Sequence, residues 1–282
     1  MKLTLDVEHT VTEKNGKTHF DPFEPDNDLV MIGTLTDKGE EKLFTFYHND
    51  TSVLLPSIFS DVQKLLDEAT ILIGHNIVHD LVWLWESGFQ YDGSVFDTML
   101  AEYVLQRGQK QPLSLEMCAE RYNLNTKKRD TLKEYLSKGV SVADIPHDEL
   151  SVYLSADLHA TQELCDTLYR RLSTSPDSTL MEPVVMSNRV AVSLARIYQR
   201  GFKIDQAALD KVKTEFETEK VKLEQALDVQ VSQLMGDVPI NLNSPEQLSY
   251  VIYSRKPKDK RKWADEFSRG MSRPDFNTMV ST

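Results

Sequence analysis

The chain has 282 residues, 40% of them hydrophobic, and a formal net charge of −12. That length holds one large domain or two ordinary ones, and the apolar content argues against global disorder. The acidic balance argues against a stand-alone, high-affinity duplex binder because phosphate is repelled, although nucleic acid delivered by a partner or held at a metal-filled site remains open. The two cysteines, Cys118 and Cys165, fall at apolar positions of helical patterns and read as small buried hydrophobes in a reducing compartment. No Cys/His spacing suggests zinc, no apolar run approaches a membrane span, and the N-terminus enters a strand directly rather than a signal peptide. The expectation is a soluble, cytoplasmic protein with no membrane partner.

Residues 2–8 read as a first strand, with Leu3, Leu5 and Val7 alternating against Thr4, Asp6 and Glu8. A polar, proline-containing loop runs through 19–28. Residues 29–36 and 42–47 are β-rich and join through a turn at Gly39, so these three strands form an antiparallel meander. Residues 57–69 carry apolar side chains at helical spacing, with Ser57 as N-cap. The run TILIG (70–74) suits a strand buried on both faces. A helix with Leu81, Val82, Leu84 and Trp85 follows, then a short strand at 94–96, and helices dominate from Thr98. Strands first, then strand and helix alternating, then helices describe an α/β domain with a mixed five-stranded sheet of ribonuclease-H-like type. Composition shifts near 171–177, so 1–177 is read as one domain and 178–282 as a helical extension. The extension holds one helix to Arg200, ended by Gly201, and another over 206–235 whose Lys and Glu residues form a solvated face.

Three short motifs stand out. Asp6 and Glu8 share one face of the first strand, where two carboxylates repel unless a cation neutralises them; a lone D-x-E is more often a solvent-facing edge. GHNIVHDLVWL (74–84) puts Asn76 at the end of the buried strand and Asp80 in the first turn of a helix, where the helix dipole favours an acid in any case. VYLSADLHATQEL (152–164) stacks Tyr153 and Asp157 one turn apart, beside the core stripe of Leu150, Leu154, Leu158, Thr161, Cys165 and Leu168. Each motif is weak alone. Their order, spacing and settings are specific together.

The joint pattern resembles the DEDD superfamily of 3′→5′ exonucleases, in the variant whose third motif carries a tyrosine. FDTMLAEYVLQ (96–106) and SLEMCAERYNL (114–124) are similar to segments of the proofreading domain of family A DNA polymerases. MEPVVMSNRVAVSLARIYQRGFKID (181–205) resembles their passage from exonuclease to thumb. INLNSPEQLSYVIY (240–253) resembles a thumb signature, and no palm or fingers motif follows. His79 departs from the family, which often has Tyr or Phe at that position.

What the resemblance implies is a two-metal 3′→5′ exodeoxyribonuclease, the proofreading half of a phage-type family A polymerase acting in DNA replication, either encoded apart from a separate polymerase chain that carries palm and fingers or a fragment of a longer polypeptide. Two divalent ions, Mg²⁺ or Mn²⁺, would be held by Asp6, Glu8, Asp80 and Asp157. Asp6 would bridge them, Glu8 and Asp157 would complete the hydroxide-generating site, and Asp80 would hold the second. Tyr153 would orient the attacking water. His9 and Thr10, through their backbone, and Asn76 would touch a single-stranded DNA 3′ end, and nucleoside 5′-monophosphates would be released. Lys127, Lys128 and Arg129 read as a solvated loop. Arg255, Lys256, Lys258, Lys260, Arg261 and Lys262 are candidates for contact with DNA or with a polymerase chain. Two rivals stand: an RNA-trimming exonuclease of the ribonuclease D type, disfavoured by the thumb-like segment, and a catalytically silent replisome scaffold, disfavoured by the crowded carboxylates. A glycosidase is ruled out because same-face neighbours cannot flank a sugar.

Overall fold

The computed structural model describes residues 1–49, 56–124, 135–175, 179–235, 241 and 243–253. The chain divides into two compact units, Met1–Gly201 and Phe202–Thr282. The first is built on five strands in the order β5-β4-β1-β6-β7, with β1 Lys2–His9, β4 Leu29–Thr36, β5 Glu41–Thr45, β6 Ile71–Gly74 and β7 Ser94–Asp97. β1 pairs antiparallel with β4 and parallel with β6, and β4 with β5 and β6 with β7 complete a mixed sheet. The expected meander and the short strand at 94 are therefore both present.

Alternation along β1 sorts its side chains to two covered faces. Leu3, Leu5 and Val7 enter a core with α1 (Pro56–Glu68) and α2 (Ile77–Glu86), through Val62, Leu66, Leu81 and Leu84. The opposite face is covered by α5 (His147–Ser173), whose Leu150, Leu154 and Leu158 are buried. Beside it lie α3 (Thr98–Leu105) and α4 (Leu115–Tyr122), which close a core of Ile73, Phe96, Cys118, Leu164 and Cys165. Both cysteines are free and buried, as their apolar settings require.

Two features differ from the sequence reading. A two-stranded hairpin, β2 (Thr12–Lys14) with β3 (Lys17–His19), stands ahead of the proline-containing loop. Its turn is Asn15-Gly16, both at positive φ (53° and 70°), the backbone that a tight hairpin turn needs and that this dipeptide adopts readily. The second difference is the boundary between units. Helix α6 (Met181–Arg200) buries Val184, Asn188, Ala191 and Ala195 within the first unit. The Arg196 guanidinium sits 3.5 Å over the Trp85 ring and Gln199 donates to Glu86 at 2.9 Å, which pins α6 to α2. The units part at Gly201, not at 177/178, because α6 has an apolar stripe to bury and the first unit provides its partner.

The second unit holds α7 (Gln206–Met235) and α8 (Pro245–Tyr253). Lys211–Glu215 and Lys220–Glu224 pair one turn apart on α7, the solvated face expected of it. The polar residues of the Asn-rich segment serve α8: Ser244 Oγ accepts from Gln247 N–H at 3.4 Å, and Gln247 Oε1 accepts from Asn241 N–H at 2.7 Å. Lys127, Lys128, Arg129, Ser178 and the cluster from Arg255 to Lys262 lie outside the described residues. Among the described residues no helix is long and apolar enough to cross a membrane.

Candidate active site

The site begins where β1 outruns its neighbour. β6 pairs with β1 only as far as Thr4↔Ile73 and ends at Gly74, so the carboxyl end of β1 has no parallel partner there. An open sheet offers a crevice at such a point. Backbone donors there still need acceptors. Asp80, in the first turn of α2, supplies one, and Val7 N–H donates to its Oδ1 at 3.2 Å. On the opposite side β1 stays paired to β4, with a register shift between Glu8 and His9 that bends the strand end. Asp6 is partly buried and Glu8 is buried, both on the face covered by α5.

α5 brings the other two residues. Asp157 is buried and Tyr153 partly buried one turn earlier, with the phenol donating to the Asp157 carboxylate. The Tyr153 hydroxyl is held far above its ordinary acidity range by burial first, then by the charges of Asp157, Glu8 and Asp6. It stays protonated and can only donate or accept a hydrogen bond. The Asp80 carboxyl is raised well above the usual carboxylate range, by burial first and by Asp6 next. The structure thus gathers all five residues of the three motifs into one electrostatic neighbourhood at the end of β1.

The donor set is wholly carboxylate oxygen, with no thiol or imidazole among its members. A buried carboxyl such as Asp80, pushed toward the neutral form by burial and by Asp6, suits a hard divalent cation, which would restore its charge. Among the described residues no three Asp, Glu, His or Cys side chains are already drawn together to hold an ion. Asp80 is turned instead onto the Val7 amide.

The expected strand contacts are placed differently from one another. Asn76 is exposed and left-handed (φ 66°), with its side chain uninvolved in capping α2. Thr10 is occupied internally: its N–H donates to Asp28 O at 2.9 Å and its carbonyl meets His9 Nδ1 at 2.7 Å. His9 stacks on Trp83 (centroids 4.6 Å) and its Nε2 meets His79 Nε2 at 2.7 Å, so one proton is shared between the two rings. Burial, then His9, lowers the His79 pKa to about 4. His79 is therefore half of a neutral imidazole pair.

Sequence reasoning missed Asp97. It is buried at the end of β7 and accepts from the N–H groups of Asn76 (3.1 Å), Ile77 (3.1 Å), Met99 (2.8 Å) and Leu100 (3.3 Å). One carboxylate thus ties the start of α3 to the start of α2, the helix that carries Asp80. An Asp between an apolar run and a helical pattern was a legible N-cap signal. Its second client, α2, was not legible.

A family model described as 3′-5′ exonuclease matches residues 20–173, more than half of the chain. The chain belongs to this 3′-5′ exonuclease family. The match begins after Asp6 and Glu8, but the register places β1 between β4 and β6, both within the matched region of the exonuclease. DNA polymerase I of Synechocystis sp. is 28% identical over 176 residues, which is 62% of this chain. The chain spans only 17% of that polymerase. In structure, the POL domain of Pol1 from M. smegmatis superposes with a TM-score of 0.62 at 18% identity, over 99% of this chain and 44% of that one. Brucella melitensis NrnC superposes with a TM-score of 0.50 at 17% identity, over 71% of this chain and 86% of that one. These likenesses concern the fold, and the exonuclease has the expected ribonuclease-H-like mixed sheet.

Proposed function

We propose that this exonuclease is metal-dependent and removes nucleoside 5′-monophosphates from single-stranded or frayed DNA 3′ ends, as the proofreading part of a polymerase I-like enzyme. The observation that carries the reading is the meeting of Asp6, Glu8, Asp80 and Asp157 with Tyr153 at the end of β1 that extends past its β6 neighbour. Divalent ions, Mg²⁺ or Mn²⁺, supply an activated water and counter-charge for the phosphate and the departing 3′ oxygen when bound. Asp6, Glu8 and Asp157 would hold one such ion, and Asp6 with Asp80 the other.

The rest of the chemistry belongs to the chain. Tyr153, protonated and bonded to Asp157, orients the attacking water, and its hydroxyl rather than its ring is the working part. The new bond joins that water's oxygen to phosphorus, and the bond to the 3′ oxygen breaks. Asn76, exposed at the start of α2, would touch the terminal nucleotides. The His9–His79 pair is neutral and lends no charge to the phosphate. The second unit, and the basic run from Arg255 to Lys262 with it, would meet duplex DNA or the polymerase chain.

The test is digestion of a 5′-labelled single-stranded DNA with Mg²⁺, with Mn²⁺ and with EDTA, beside Asp6→Ala. Stepwise, metal-dependent shortening lost in the variant supports the reading. Faster digestion of RNA of the same sequence would replace DNA as the substrate. A folded wild-type protein inactive on both would reject the exonuclease activity.

A further inference from the structure

Gly33 lies in the middle of β4, and its Cα pairs directly with that of Asp6 in the antiparallel ladder. Directly opposed residues of such a pair project to the same face. A side chain at 33 would therefore point where the Asp6 carboxylate points, toward α5. There is no room for one: a Cβ built at Gly33 would stand 2.7 Å from Leu158 Cδ1 and 2.9 Å from Leu154 Cγ. The backbone does not demand glycine, since Gly33 lies in a regular, continuously paired strand segment and outside the positive-φ positions. Glycine inside a strand is entropically unfavourable and often marks close approach of another element. Here the element is α5, and the residues touching Gly33 are those next in sequence to Tyr153 and Asp157.

We infer that Gly33 is a positioning residue for the exonuclease reaction: by lacking a side chain it lets α5 seat low on the sheet, and that height sets the gap between Tyr153 and Asp157 on the helix and Asp6 and Glu8 on β1. The inference rests on the exonuclease reading above. Its physical basis is the sandwich itself. Asp6 is fixed in the central strand by pairing on its β4 side, so extra volume at 33 is relieved by movement of α5 rather than of β1. The terminal methyl of Leu158 can rotate away from a new Cβ by χ2, whereas Cγ of Leu154 can move only by leaving its χ1 rotamer, inside a packed core where few rotamers are open to a helical side chain, or with the helix. Lifting the helix by a fraction of an ångström leaves the core closed. It separates two halves of a site whose action depends on their spacing.

The experiment compares wild type, Gly33→Ala, Leu154→Ala and the double variant in the full chain, by steady-state digestion of a single-stranded DNA with Mg²⁺ and by urea melts. Gly33→Ala is expected to lower kcat by about 10- to 100-fold while KM stays within about two-fold. Leu154→Ala removes the 2.9 Å neighbour, so in the Gly33→Ala background it should bring kcat back to that of Leu154→Ala alone. A merely destabilising glycine replacement would not be rescued by a second destabilising truncation. Wild-type kcat in Gly33→Ala overturns the inference. So does a loss that Leu154→Ala fails to restore. If Gly33→Ala does not fold, the double variant decides by the same comparison with Leu154→Ala. An inactive wild type rejects the exonuclease reading, a result distinct from either.

Discussion

Asp97 offers the sharpest test of how the site is braced. Its two carboxylate oxygens satisfy four backbone donors, three on Oδ1 (Asn76, Met99 and Leu100) and one on Oδ2 (Ile77). Asp97→Ala strands all four. A buried donor without a partner costs about 1–3 kcal/mol, and the two in α3 also lose their N-cap. Water can recover part of this at the helix start, which leaves an expected loss of about 3–6 kcal/mol. That is a large share of the roughly 5–15 kcal/mol that holds a domain together. Asp97→Asn keeps an oxygen for three donors and turns an NH₂ toward Ile77 N–H, so about 1–3 kcal/mol should go. Burial, the largest influence, raises the Asp97 pKa above 3.8. A raised carboxyl favours the folded state below 3.8, and that contribution is lost as pH rises through the folded value. The asparagine variant lacks this dependence, so its deficit relative to wild type should narrow as pH rises. Urea melts at several pH values, read beside the digestion rate, check the argument. Loss of less than about 1 kcal/mol in Asp97→Ala would refute it.

Tyr153→Phe removes the hydroxyl that donates to Asp157 and should cut kcat by about 10- to 100-fold while the urea midpoint stays close to wild type. Glu102 is buried and receives Arg121 at 2.6 Å and the Tyr122 hydroxyl at 2.5 Å, in bonds that include none of the site carboxylates. Glu102→Ala leaves Arg121 without a carboxylate, with only the Pro112 carbonyl and the Cys118 sulfur to donate to, and should cost about 3 kcal/mol in denaturant melts, with the per-molecule rate of the folded fraction unchanged. His79 has a pKa lowered from 6.5 to about 4 by burial and by His9. The unfolded chain therefore takes up a proton first, and stability present above 6.5 is lost as pH falls toward 4. Asp80, raised by burial, works in the opposite sense in both proteins. The difference between wild type and His79→Gln reports the His9–His79 pair, and the variant's stability should fall less between pH 7 and 4 when melts are compared.

Much of this molecule is local and could be read from residues alone. Period-two alternation puts Asp6 beside Glu8 whatever surrounds the strand, and helical spacing stacks Tyr153 on Asp157, because both are properties of backbone geometry. Asp80 at a helix start and the apolar run of β6 are local in the same sense. The Asn15-Gly16 hairpin and the Asp97 cap carried local signals too, in a dipeptide and in an Asp ahead of a helix. Tertiary structure decided what these pieces do to one another. The end of β6 at Gly74 leaves Val7 N–H to Asp80, a consequence of where two strands stop pairing. α6 joins the first unit because its stripe finds α2, so the unit boundary follows packing and not the change in composition. Gly33 acquires its meaning from a helix more than a hundred residues later in the chain, since the room for a Cβ depends on atoms that only the fold brings near.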